Sequence, residues 1–169
     1  MVPLTIRIKK LDGANSALSC VRANGTSSWQ RHRGSSGTFF PLHDLTHYAV
    51  ETTLHVSGAF YGLLADGWEL DDFGPPWPRG PLPPLALNIE LIVCFLDTER
   101  AGGVIWSAED LRDKAALYYA ANKREAPGSA PSSTVTDGEL DAIRVRRGEL
   151  FAQWSAIAIG DVLELTFAE

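Results

Sequence analysis

Cysteine is scarce. The 169 residues hold only Cys20 and Cys94, far apart and without a CxxC pair, which argues against a disulfide scaffold or a cysteine-rich zinc finger. Each stands among apolar neighbours (Leu18 and Val21; Val93 and Phe95), so both are expected as small buried hydrophobes rather than nucleophiles. No apolar run approaches the roughly 20 residues of a membrane span. No charged-then-apolar leader precedes the first strand pattern either, which sets the expectation of a cytoplasmic chain without a membrane partner. Basic residues are the minority, 15 Lys and Arg against 21 Asp and Glu, the reverse of what coating a nucleic-acid backbone needs. Neither a GxxxxGKS/T loop nor a GxSxG elbow occurs, so P-loop phosphate chemistry and a serine-hydrolase route have no support.

The sharpest absence is local. From Gly34 to Pro78 there is no Lys or Arg, while six acids (Asp44, Glu51, Asp66, Glu69, Asp71 and Asp72) share the stretch with His43, His47 and His55. Acids and imidazoles without basic neighbours need a counter-charge from elsewhere, either a metal ion or the basic N-terminal segment.

What is present suits one globular domain of 169 residues with 45% hydrophobic content. Leu4, Ile6 and Ile8 alternate with polar residues as a half-buried strand does. Ser16–Ala23 and Thr26–Arg33 flank Asn24-Gly25, a two-residue hairpin signal, and Gly34–Gly37 reads as a break. Pro41 to about Ala65 reads as one long helix with Pro41 in its first turn. Six of the ten prolines fall between Pro75 and Pro84, a rigid loop over 74–84 anchored by Trp77. Leu85–Arg100, almost continuously apolar but for Glu90 and Asp97, is expected as a buried helix. A helix from Ser107 to Asn122 opens on a capping-box pattern, and 123–135 reads as a flexible loop. A last helix over Gly138–Ile157 keeps Arg144, Arg146 and Arg147 on its wet side, and Val162–Phe167 alternates as a strand that pairs with the first. The expected fold is α+β: a small antiparallel sheet from both termini, packed with about four helices in a single domain.

On the long helix, His43, His47, Glu51 and His55 recur every fourth residue and form one stripe. Two imidazoles at i and i+4 face the same way and can chelate one divalent cation. The segment His43-Asp44-Leu45-Thr46-His47 resembles the HExxH helix of zincin metallopeptidases, with Asp in place of Glu. That resemblance, which spans five residues, implies His43 and His47 as ligands of a zinc ion and Asp44 as general base. Glu51, one turn further along the stripe, is the first choice of third ligand. Asp66, Glu69 and Asp72 are further candidates, ahead of His32 and His55. Two function classes stay open. One is a divalent-metal-binding protein acting as a metal-dependent hydrolase on a small molecule or peptide. The other is a non-catalytic interaction protein whose His/acid cluster is structural.

Overall fold

A computed structural model describes residues 3–125 and 130–168 of the chain. Four antiparallel strands, β1 (Leu4–Lys10), β2 (Ser16–Arg22), β3 (Ser27–His32) and β4 (Val162–Phe167), form one sheet in the order β3-β2-β1-β4. The two terminal strands therefore pair, with Ile6 opposite Leu165 on one side and Cys20 on the other. Period-2 alternation turns Leu4, Ile6, Ile8, Leu18, Cys20 and Phe167 to one face, where they are buried. The Asn24-Gly25 turn closes the β2–β3 hairpin, with Gly25 at φ +83°. Against the inner face pack α1 (Ser35–Thr53) and α2 (Phe60–Ala65); α3 (Pro84–Gly102) and α6 (Asp137–Ala156) pack on α1, and α4 (Ala108–Ala121) and α5 (Pro131–Thr134) pack on α3. The α+β expectation holds among the described residues, with six helices in place of four because one expected helix divides into α1 and α2 and α5 adds a short turn. No helix among the described residues is long and apolar enough to cross a membrane.

The single helix expected over Pro41–Ala65 is two helices. It starts earlier, at Ser35, because Gly37 lets the first turn press on neighbouring backbone. A Cβ there would lie 2.2 Å from the Ala14 carbonyl oxygen. Pro41 is accordingly interior to α1 rather than in its first turn, and the Gly34–Gly37 segment is a helix start, not a break. The helix ends at Thr53. Beyond it His55 takes φ +51°, and α2 begins at Phe60 with the Glu51 carboxylate accepting from the Tyr61 backbone N–H at 3.0 Å. Glu51 thus serves as a cap for the second helix, and His55 leaves the stripe.

The two capping boxes on α4 and α6 are formed, by Ser107 with Asp110 and by Thr136 with Glu139. Two readings of the C-terminal half need correction. Arg144 and Arg147 are not on a solvated face. Arg144 donates to Glu99 through Nε at 3.1 Å and Nη2 at 2.8 Å, and Arg147 Nη2 reaches the same carboxylate at 3.3 Å. The 123–135 segment is not wholly loop. Pro131–Thr134 is a helical turn, and the buried Asn88 side chain donates to Ser132 Oγ at 2.7 Å and accepts from its N–H at 2.9 Å. Residues 126–129 of that expected loop lie outside the described residues. Residues 74–83 run without helix or strand, and Pro84 opens α3.

Glu99 is buried and holds α3 to α6. Burial pushes its pKa up, but hydrogen bonds from Arg144 and the Trp106 backbone outweigh this and set it below the usual 4.5. A carboxylate depressed in the fold stabilises above its unfolded pKa and loses that contribution as the pH falls below it. Glu99→Gln should therefore cost about 2 kcal/mol at neutral pH, through loss of a charged partner for two guanidiniums. Urea melts of the two proteins should converge below pH 4.5. A deficit that stays constant into acid would contradict the assignment.

Candidate metal centre

Helix geometry carries the first half of the site. His43 and His47, one turn apart on α1, project to the same side with ring centroids 4.9 Å apart. The second half comes from α3, which crosses α1 and presents Glu90, Cys94 and Asp97 on one face, at i, i+4 and i+7. Glu90 Oε2 lies 2.9 Å from His47 Nε2, and Oε1 lies 3.8 Å from His43 Nε2. His43, His47 and Glu90 each offer one ligand atom within 4.8 Å of the other two, and among the described residues they are the group that can hold a metal ion.

Each imidazole is also held from behind. His43 Nδ1 donates to Asp97 Oδ2 at 2.8 Å, which turns Nε2 toward Glu90. His47 Nδ1 donates to Glu51 Oε1 at 3.2 Å. This carboxylate–histidine pairing fixes tautomer and ring direction, as the outer partners of metal-binding histidines do. His43 lies well inside α1, and Asp97 of α3 orients its ring.

The electrostatics are those of an acid-rich cluster. Four carboxylates (Asp44, Glu51, Glu90 and Asp97) surround two imidazoles, with one guanidinium, that of Arg100, 3.4 Å from Asp97. Burial alone would lower the pKa of His47. The hydrogen bonds to Glu51 and Glu90 win and raise it to about 10. Burial raises Glu90, and the His47 hydrogen bond with the charges of His47 and His43 brings it down to about 2. Glu51 is shifted upward by complete burial against the pull of His47. The His47 ring thus links Glu51 on its Nδ1 side to Glu90 on its Nε2 side.

Asp44 faces the same space by a different route. Its side chain is 4% exposed and lines a cavity of about 500 Å³ that also reaches His43, His47 and Glu90. Among the described residues its carboxyl group makes no hydrogen bond, and burial pushes its pKa up to about 7 against the charges of His43 and His47. No protein-family model matches the chain, and no curated protein or solved structure does. The geometry alone carries the reading.

Of the sequence-derived site residues, His43, His47 and Asp44 come together on one cavity wall. Glu51 sits on the far side of His47 from Glu90, fully buried, with both carboxylate oxygens engaged by His47 and the Tyr61 N–H. Asp66 is exposed at the end of α2. Glu69 and Asp72 close a capping box on the 3-10 turn Leu70–Phe73 and are engaged by Arg22 and Arg79. Sequence reasoning misses Glu90 and Asp97. Their signal is two acids seven apart in an otherwise apolar helix, a spacing that puts them on one face. Cys94 also departs from expectation. It is exposed beside the site and donates to Glu90 Oε1 at 3.2 Å, because its helix face is the polar one.

Proposed function

We propose that this chain binds one divalent metal ion, zinc in the first instance, through His43 Nε2, His47 Nε2 and the Glu90 carboxylate. We propose further that it uses the ion for hydrolysis. The observation that carries the reading is the convergence of these three donors with an outer carboxylate behind each imidazole. Two histidines and one carboxylate form a donor set used by catalytic zinc sites, which keep a further position open. Here His43, His47 and Glu90 all line the cavity, so a substrate in it could reach a metal they held. A bound zinc would supply Lewis acidity and an acidified water. The chain's own part is to hold the donors rigid and to place Asp44 on the cavity wall, where an unpartnered carboxylate can accept and return a proton. The His43–His47 segment keeps the two histidines of the zincin pattern, with Asp44 at the position of that family's general base.

Tag-free protein should contain one metal per chain by mass spectrometry of the elements. Zinc at about a hundred times its Kd should stabilise the fold by about 2.7 kcal/mol, and EDTA should reverse the gain. Asp44→Asn should keep the metal and lose about a hundredfold in zinc-dependent turnover of 4-nitrophenyl acetate. Absence of metal together with no thermal response to zinc, manganese or cobalt would end the proposal.

A further inference from the structure

The cavity in front of the cluster has a marked composition. Its apolar walls come from Phe40 on α1, Phe60 on α2, Phe73 of the 3-10 turn, Trp77 and Leu82 of the proline-rich segment, and Leu87 on α3. Its acids are Asp44, Asp71 and Glu90, and no Lys or Arg lines it among the described residues. The nearby guanidiniums are engaged elsewhere. Arg22 donates to the Leu64 and Trp68 carbonyls, and Arg79 to Asp72 Oδ2 and the Gly67 carbonyl. A volume of about 500 Å³ lies within the roughly 300–1,000 Å³ of small-molecule pockets.

A second observation points to a ligand. His32 of β3 is 7% exposed, stacks on Phe40 at 4.2 Å and lines the same cavity. Neither its ring nitrogens nor the Asp44 carboxyl makes a hydrogen bond among the described residues. Two polar side chains more than nine-tenths buried, both without partners and on the wall of one cavity, are groups that a bound molecule can satisfy. Aromatic walls ask that molecule for an apolar ring, and a lining with Asp71 and without Lys or Arg disfavours a phosphate, sulfate or carboxylate on that part of it.

We infer that the site takes a small molecule, neutral or cationic, with an aromatic or similarly bulky apolar group that packs against Phe60, Phe73 and Trp77 and a polar group that meets His32 and Asp44. This rests on the metal reading for the direction in which the molecule presents its reacting group, but not for the character of the pocket, and two experiments separate the two. In zinc-loaded protein, benzohydroxamate should bind about tenfold more tightly than acetohydroxamate through ring burial. 4-Aminomethylbenzohydroxamate should bind about tenfold more tightly than 4-carboxybenzohydroxamate. In protein kept in EDTA, benzylamine and benzyl alcohol should perturb tryptophan fluorescence at lower concentration than benzoate.

Trp77→Ala should remove most of the advantage of benzohydroxamate over acetohydroxamate. Trp77 is 42% exposed, so its loss leaves the core intact. If zinc itself does not bind, the metal reading fails and the EDTA arm still decides the pocket. Equal affinity for aryl and methyl hydroxamates, or benzoate binding as well as benzylamine, would overturn the inference.

Discussion

Glu90→Gln and His47→Ala should each weaken zinc binding more than about a hundredfold, whereas Asp97→Asn should weaken it by roughly 10–100-fold, the usual range for an outer partner. The order follows from position. Glu90 and His47 present their donors to the shared point, and Asp97 acts only by holding the His43 ring through its Nδ1–H. In the Asp97→Asn variant the side-chain amide oxygen can still accept that hydrogen bond, so the loss is one of charge and basicity alone. The two large losses differ in their structural cost. His47 is buried between Glu51 and Glu90, so its removal takes the imidazole partner from Glu51 Oε1 at full burial and leaves the Tyr61 N–H on Oε2. Glu90 is partly exposed at the cavity wall, and its conversion to Gln leaves the packing as it is. Isothermal titration of the metal-free variants, with circular dichroism to confirm the fold, reads the order directly. Asp97→Asn as damaging as Glu90→Gln would mean that Asp97 rather than Glu90 meets the ion.

The same contrast between local and cross-chain information explains what can be read from residue order. The pairing of Leu4–Ile8 with Leu163–Phe167 is legible because alternation on each strand leaves one apolar face and the two faces are complementary. His43 and His47 are legible because helical period alone turns them the same way. Glu90 is not, since the crossing of α3 over α1 depends on how two apolar helices nest, which no local spacing encodes. Glu51 shows the opposite error. It shares the stripe, yet the chain breaks just after it, and its carboxylate is drawn to the N-terminus of α2. The break itself is hidden because Leu54, Val56 and Ala59 continue an apolar pattern across it. What permits the turn is a close backbone contact at Gly62.

That contact yields the largest expected effect on the fold. Gly62→Ala should destabilise the protein by about 3 kcal/mol or more, at the upper end of the cost of overpacking. A Cβ at Gly62 would lie 1.7 Å from the Ser57 carbonyl oxygen and 2.4 Å from its carbon. Both are backbone atoms, so no side chain can rotate away and α2 itself must move. Movement of α2 draws on three tethers at once. Tyr61, fully buried, donates through its hydroxyl to the Asp44 carbonyl at 3.0 Å and through its N–H to Glu51. The Leu64 carbonyl accepts from Arg22 Nε at 2.6 Å. Phe60 packs against the His47 ring at 4.9 Å, so the His43–His47–Glu90 cluster feels the shift as well. A melting temperature lower by about 6–12 °C is the expected reading for a chain of this size. Gly148→Ala provides the control of opposite sign, because it is a mid-helix glycine of α6 whose added Cβ meets nothing within 4 Å. There the substitution should stabilise by about 0.5–1 kcal/mol, as removal of glycine from a helix interior does. A Gly62→Ala protein as stable as its parent would mean that the 54–59 connection yields freely and that the cluster is not braced through α2.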